Sequence, residues 1–284
     1  MKKNTILIVI GKDAPMDDLA KKLETLRTVS AHVVILIVGE MPAFPYYAVG
    51  IDTFGTTDVP GDWSGEVASH KAVLDDKAKD VRTLLQQHDV SGEVSTVACE
   101  PALMADAVAR RAMLCDMAII SDDLRDPDTL FRQAVHGVLF QSPVGVVLND
   151  PTAEAMTAPK RVFVAWNTQL HSARALHQAL PMLRQADEVV IAMVDPVMSE
   201  FRDGEDPGVD VAKWLTHHGC NVVVATYPSG GKDIGTCILD RAKEAGADLI
   251  VMGAYGHSRT RETIFGGTTK TLISQTDQVV FLAH

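Results

Sequence analysis

Cysteine is scarce in this sequence, and no apolar run is long. Four cysteines occur, without a CxxC pair or a metal-like spacing to histidine, at Cys99, Cys115, Cys220 and Cys237. We therefore expect reduced thiols and no metal site. No apolar run approaches the ~20 residues of a membrane helix. The short run in MKKNTILIVIG passes into GKDAPMDD without a cleavage site, which indicates a first strand rather than a signal peptide. These features predict a cytoplasmic protein with no membrane partner.

Positive charge is also in short supply. Lys and Arg number 26 against 37 Asp and Glu, so the formal net charge is -11. Nucleic-acid binding requires basic surface, and this balance argues against it. Hydrophobic residues make up 46% and charged residues 22% of the chain, as in ordinary globular proteins. A length of 284 residues suits two domains rather than one.

The first half alternates short buried strands with helical patterns. Continuous β-branched runs predict five strands, at Thr5–Ile10, His32–Val38, Val94–Ala98, Met117–Ser121 and Val144–Leu148. Apolar spacing predicts helices between them, at Ala14–Val29, Glu66–His88, Ala102–Met113 and Asp126–Phe140. Residues Met41–Gly65 break both patterns with proline and glycine and predict a long loop. Strands joined by helices indicate a doubly wound parallel sheet.

The same order then begins again after a linker at Asn149–Pro159. Five more strands are predicted, at Arg161–Trp166, Glu188–Val194, Val222–Ala225, Leu249–Met252 and Val279–Leu282. The helices between them are predicted at His171–Arg184, Val211–His218 and Ile234–Ala245. The predicted fold class is α/β, with two tandem doubly wound parallel five-stranded sheets. We assign residues 1–150 to a first domain and 160–284 to a second.

The glycine-rich stretch from Ala247 to Leu272 is the best candidate for a functional site. The apolar run ending at Met252 is interrupted by Gly253 and Gly256, and Gly266-Gly267-Thr268-Thr269 opens a further helical pattern. The first amides of a helix lack intrahelical partners, and the helix dipole is positive there. A strand that ends in glycines and leads to a helix N-terminus therefore predicts a phosphate site.

This spacing resembles the G-x2-G-x9-G-(S/T) nucleotide loop of the universal stress protein family. The residues GAYGHSR…FGG resemble that family as well. The resemblance implies a Rossmann-like fold of the adenine nucleotide alpha hydrolase type and binding of ATP, with ADP and AMP as alternatives and Mg²⁺ as a companion ion. One position departs, because Gly267 stands where the family's ATP binders carry Ser or Thr. We expect Thr268 or Thr269 to supply the hydroxyl.

The resemblance also places the adenosine at neighbouring strand ends, where open parallel sheets bind ligands. In the family an Asp faces adenine and ribose at the position of Asn167, which is a second departure. A backbone group of the next strand, at Val194, reads adenine. The predicted cofactor-binding residues are Ala165, Trp166, Asn167, Val194, Met252, Gly253, Gly256, His257, Gly266, Gly267, Thr268 and Thr269.

An internal repeat indicates that only the second half kept this site. Residues Cys115–Ile120 match Ala247–Met252 in type and place, but Ser121 then stands where Gly253 is and Leu124 where Gly256 is. Only glycine reaches positive φ cheaply or lets a phosphate approach the backbone closely. The first domain is therefore predicted to be degenerate, with one nucleotide site per chain.

The family resemblance further implies how the domains assemble and act. Single-unit relatives pair through edge strands, so the tandem chain is expected to be an intramolecular pseudo-dimer. Its strands Val144–Leu148 and Val279–Leu282 should then lie side by side, which covers two exposed edges. Whether the fused pair forms a further homodimer stays open. The implied function is a stress-response regulator that acts by binding, with slow ATP hydrolysis at most and no catalytic residue assigned.

Two alternatives remain. A second glycine-rich loop, Ser229-Gly230-Gly231-Lys232-Asp233, resembles the SGGxD(S) loop of ATP pyrophosphatases. This resemblance would make the protein an enzyme, either an ATP pyrophosphatase or a ligase. The last position is Ile234 rather than serine, and the loop follows the third strand of its domain rather than the first. A turn followed by a helix cap at Asp233 explains the same residues. The other alternative is a scaffold that has lost nucleotide binding.

Overall fold

A computed structural model describes residues 4–44, 61–126, 128–199, 203–254 and 266–284. These residues form a single sheet of ten strands in the order β3-β2-β1-β4-β5-β10-β9-β6-β7-β8. The strands are β1 (Thr5–Gly11), β2 (His32–Glu40), β3 (Gly92–Cys99), β4 (Met117–Ile120), β5 (Val146–Leu148), β6 (Arg161–Ala165), β7 (Glu188–Val194), β8 (Val222–Tyr227), β9 (Leu249–Gly253) and β10 (Val280–Ala283).

Nine α-helices lie within the described residues. They are α1 (Met16–Thr28), α2 (Gly61–Gln87), α3 (Pro101–Ala112), α4 (Asp128–Gln141), α5 (Glu154–Thr157), α6 (Leu170–Leu183), α7 (Val209–His217), α8 (Ile234–Glu244) and α9 (Gly267–Ser274). A 3₁₀ helix at Asp122–Arg125 precedes α4. The α/β fold class is confirmed, and each half of the sheet is parallel with its first strand in the centre.

The two halves meet through one antiparallel strand pair. Strand β5 pairs with β10, with Val280 opposite Leu148 and Leu282 opposite Val146. The two strands lie side by side, as the family resemblance implied. The two five-stranded halves therefore share one continuous sheet, and neither strand is left as an open edge.

Helices cover both faces of this sheet because successive side chains of a strand point to opposite faces. Ile8 and Ile35 belong to one buried cluster with Val164 and Val251 of the second half, whereas Val9 belongs to the other. Each cluster contains residues from both halves of the chain. Such strands are buried on two sides and read as continuous apolar runs.

The structure corrects two expectations from the sequence and adds one element. Helix α2 begins at Gly61, within the predicted loop Met41–Gly65, and residues 45–60 lie outside the described ones. The predicted linker contains α5, whose Ala155 and Met156 are buried in the core. The Asp150 carboxylate accepts a hydrogen bond from the Met156 amide, 3.2 Å away, which fixes this turn. The 3₁₀ helix at Asp122–Arg125 was not predicted.

Two further observations concern cysteine and the membrane. All four cysteines are free thiols, as expected, with Cys220 and Cys237 buried. None of the helices in the described part of the chain has the length and apolar character to cross a membrane.

Candidate functional site

A cavity of about 300 Å³ opens where β6, β7 and β9 end and α9 begins. Ten of the twelve predicted binding residues line it: Ala165, Trp166, Asn167, Val194, Met252, Gly253, Gly266, Gly267, Thr268 and Thr269. The other two, Gly256 and His257, lie outside the described residues. Residues from four separate chain segments thus converge on one cavity at the carboxyl ends of parallel strands, the usual place for a ligand in such sheets.

One end of the cavity is formed by the residues that follow β6. The amide of Trp166 donates to the carbonyl of Ala192 at 2.8 Å, which extends the β6–β7 pairing by one residue. The amide oxygen of Asn167 accepts a hydrogen bond of 2.5 Å from the hydroxyl of Ser172, near the start of α6. This bond fixes the Asn167 side chain at the cavity wall. The side chain also offers a donor, which a carboxylate at this position would lack.

Gly253 is required by packing as well as by its place in the glycine motif. A Cβ on Gly253 would lie 2.5 Å from the amide nitrogen of Ser172 and 2.6 Å from the carbonyl carbon of His171. Both contacts are with backbone, which cannot move aside like the end of a flexible side chain. The end of β9 therefore packs directly on the first turn of α6, and this contact brings the β6 and β9 walls together.

The opposite end of the cavity is the N-terminus of α9. Gly266 is the N-cap, with φ −65° and ψ 160°, and Gly267, Thr268 and Thr269 form the first turn. The amide of Lys270 donates to the carbonyl of Gly266 at 2.8 Å, so the three preceding amides come before the first intrahelical bond. Thr269 is buried, whereas Thr268 is half-buried. The helix dipole makes this end suitable for an anion.

Sequence reasoning missed five residues that line the same cavity. They are His171, Ser172, Ala192, Ile234 and Ile238. A signal was present for Ile234 and Ile238, since a spacing of four puts both on one face of α8. The sequence carries no such signal for His171 and Ser172, because their position depends on how closely α6 approaches Gly253.

In the first half, a carboxylate lies against the residue that matches Asn167. Val9 pairs with Ile120 as Ala165 pairs with Met252, so Gly11 takes the place of Asn167. The amide of Gly11 donates to the Asp123 carboxylate at 2.7 Å. A Cβ on Gly11 would lie 2.6 Å from the same carboxylate oxygen. Burial raises the pKa of Asp123, although hydrogen bonds from Ser121 and Gly11 partly offset this effect.

A cavity of about 430 Å³ remains beside Asp123, and its lining is acidic. Four carboxylates line it, Asp13, Glu40, Asp123 and Asp126, against one lysine, Lys12, which pairs with Asp13 at 3.2 Å. These charges would repel a phosphate, and the 3₁₀ helix replaces the glycine loop. The structure thus adds a second physical reason for expecting one nucleotide site per chain.

The loop at Ser229–Asp233 forms a turn and a helix cap. The carboxylate of Asp233 accepts a hydrogen bond from the Thr236 amide at 3.1 Å, so Asp233 is the N-cap of α8, as the cap interpretation expected. The amide of Ser229 donates to Asp195 at 3.1 Å, and the amide of Lys232 donates to the carbonyl of Ser229 at 3.2 Å. Amides that are already bonded within the protein do not form a phosphate cradle.

Comparison with known proteins agrees with this architecture. Residues 159–284 match the family model described as the universal stress protein family. The comparison with curated proteins gives no match.

Among solved structures, the chain resembles the universal stress protein from Archaeoglobus fulgidus DSM 4304, with a TM-score of 0.66 and 18% identity. That likeness covers 99% of this chain and 96% of the other. A functionally unknown protein from Pseudomonas aeruginosa PAO1 matches with a TM-score of 0.54 and 15% identity, over 99% of this chain and 92% of that one. At such identities these likenesses show the fold alone. The family likeness rests on the sequence match, in which residues 159–284, the second half of the chain, match the universal stress protein family.

Proposed function

We propose that this universal stress protein acts in stress adaptation by binding an adenine nucleotide, ATP in the first place, in the cavity of its second half. The observation that carries the proposal is the convergence of ten residues, chosen for nucleotide binding, on one cavity. Its volume of about 300 Å³ is at the lower end of the range for small-molecule sites.

The two ends of the cavity suit the two ends of a nucleotide. Phosphates are stabilised by the first amides of α9, at Gly267, Thr268 and Thr269, through hydrogen bonds and the helix dipole. The hydroxyls of Thr268 and Thr269 add donors. The adenosine lies toward Asn167 and Val194, between the ends of β6 and β7. The protein binds rather than turns over the nucleotide, because no base for activating water has been assigned.

The binding test compares wild type with four variants by calorimetric titration with ATP, ADP and AMP. Gly266 lines the cavity and its φ and ψ suit valine, so in Gly266→Val the fold should be retained while the added bulk weakens ATP binding. Gly267→Ser supplies the hydroxyl of the family motif, and Gly267→Ala is its matched control. Among the described residues, a Cβ at Gly267 meets Asp233 Oδ1 at 4.0 Å and nothing nearer, so both changes fit.

We expect Gly267→Ser to bind ATP about tenfold more tightly than Gly267→Ala, since a hydrogen bond to a charged group contributes ~1.5–3 kcal/mol.

Gly230→Asn tests the pyrophosphatase alternative. Gly230 has φ +62° with open space around it, and asparagine tolerates this conformation. Retained ATP affinity in Gly266→Val together with a loss in Gly230→Asn would favour the enzyme. If wild type gives no heat of binding with millimolar nucleotide, the remaining interpretation is a scaffold that has lost nucleotide binding.

A further inference from the structure

The cavity beside Asp123, here the first-half cavity, has no part in the proposed nucleotide function. Its volume of about 430 Å³ is within the range of small-molecule sites. It opens beyond Gly11 and Glu40, at the ends of the parallel strands β1 and β2. Open parallel sheets bind their ligands at this edge. The position therefore suits a ligand, and the lining determines which chemical class fits.

One side of the first-half cavity is a hydrocarbon wall. Leu74 of α2, Leu124 of the 3₁₀ helix and Leu130 of α4 line it. Leu74 and Leu124 are each only 2% exposed, so these side chains are held in place by the core. The absence of a side chain at Gly39 gives Leu74 its room, because a Cβ there would lie 3.2 Å from both Leu74 methyl carbons. A fixed apolar wall of this kind favours a ligand with a hydrocarbon body.

Carboxylates border the same cavity, and their charge is not balanced. Lys12 pairs with Asp13 at 3.2 Å. Across the described ranges, no cation pairs with Glu40 or Asp126, which both line the cavity. The Oδ1 atom of Asp123 is buried and has no hydrogen-bond partner among the described residues. The first-half cavity therefore combines an apolar wall with uncompensated negative charge.

This combination separates the possible ligand classes. Anions are repelled by the carboxylates. A bare divalent cation needs several oxygen ligands close together, and in the described part of the chain no three His, Cys, Asp or Glu side chains lie close enough to hold one metal ion. A neutral apolar molecule would use the wall but leave the negative charges without a counter-ion. An organic cation with a hydrocarbon body uses both features of the lining.

We propose that the first-half cavity binds a small organic amine in its cationic form, with the hydrocarbon body against Leu74 and Leu124 and the ammonium group near Glu40 and Asp126. The two halves of the chain then take ligands of opposite charge at matching edges of one sheet. The half that lacks the glycine loop keeps a site of its own. This proposal does not depend on the nucleotide function, so either can fail without the other.

The test compares three probes of equal chain length, hexylamine, 1-hexanol and hexanoate, by ligand-observed NMR titration of the full chain at neutral pH. Hexylamine is protonated there, as a lysine side chain is. A ligand of this size should bind with a Kd of about 1 mM. Hexylamine should bind at least about fivefold more tightly than 1-hexanol, because one charge contact at about 4 Å contributes that factor even in water. Hexanoate should bind most weakly of the three.

Glu40→Gln and Asp126→Asn each remove one charge while keeping the size of the side chain. Each should weaken hexylamine binding by about fivefold and leave 1-hexanol binding unchanged, which also shows that the cavity is intact. Asp80→Asn is the matched control, because Asp80 belongs to α2 but does not line the cavity. It should keep the wild-type affinity for hexylamine.

Three results would overturn the inference. They are equal binding of the three probes, undiminished hexylamine binding in both Glu40→Gln and Asp126→Asn, and no binding of hexylamine to wild type at a concentration well above the expected Kd. None of them bears on the nucleotide site of the second half, which is tested separately with ATP.

Discussion

The guanidinium of Arg125 donates a hydrogen bond of 2.9 Å to the carbonyl of Ile273, which lies 148 positions further along the chain. A second donor reaches the Asn149 side chain at 2.6 Å, and Asn149 in turn donates to the carbonyls of Gln275 and Gln278 at 3.0 Å. The last carbonyls of a helix lack intrahelical partners. Residues of the first half therefore cap the C-terminus of α9, the helix whose N-terminus lines the candidate nucleotide site.

We expect Arg125→Ala to destabilise the protein by about 2–4 kcal/mol, because several charge-assisted hydrogen bonds to partly buried groups are lost. Arg125→Lys should recover only part of this loss, since an ammonium group cannot reproduce the planar fork. The measurement is the midpoint of urea unfolding. Arg132→Ala is the control, because Arg132 is exposed and pairs with Asp128, an interaction worth less than about 1 kcal/mol. Equal effects of the two alanine variants would show that Arg125 does not stabilise the helix end.

A methyl group at Gly253 should destabilise the protein by about 1–3 kcal/mol, because its contacts at 2.5 and 2.6 Å are with backbone of α6. We expect Gly253→Ala to lower the melting temperature and to weaken ATP binding, since the β6 and β9 walls of the cavity must separate. Gly65→Ala in α2 is the control. Its Cβ meets nothing within 4 Å in the described part of the chain, and alanine should stabilise this helical position by about 0.5–1 kcal/mol. A neutral Gly253→Ala variant would mean that α6 adjusts without cost.

Asp123 should make stability depend on pH in an unusual direction. Burial raises its folded-state pKa above the unfolded value of about 3.9, so the native state holds its proton longer. Stability contributed by this group is therefore present at low pH and is lost as the pH rises from about 4 through the raised pKa. The nearby Lys22 lowers the pKa of Asp123 and so opposes this loss, but its effect is smaller than that of burial or of the hydrogen bonds.

Asp123→Asn tests this directly, because asparagine keeps an acceptor for the Gly11 amide and carries no charge. We expect its stability relative to wild type to increase across that pH range and to remain constant above it, as measured by urea unfolding at each pH. Asp126→Asn removes a charge from an exposed carboxylate of the same segment and serves as the control. A relative stability of Asp123→Asn that falls with rising pH would contradict the expectation.

The α/β alternation, the repeat and the region of the candidate site are evident from the order of residue types along the chain. Strands such as β2 are buried on both faces, so their runs of β-branched residues are continuous and easy to recognise. Gly253 and Gly266 were found because phosphate loops need glycine at defined spacing, which is a local property of the chain.

Contacts between side chains that are far apart in the sequence became evident only in the folded chain. Asp233 was predicted as a helix cap, but its approach to Gly267 depends on how α8 packs against α9. Arg125 and Asp123 follow a strand like any surface residues in the sequence, yet one caps a helix of the other half and the other accepts a hydrogen bond from Gly11, the residue that matches Asn167. Such contacts are set by packing between segments far apart in the chain, and no local pattern of residue types encodes them.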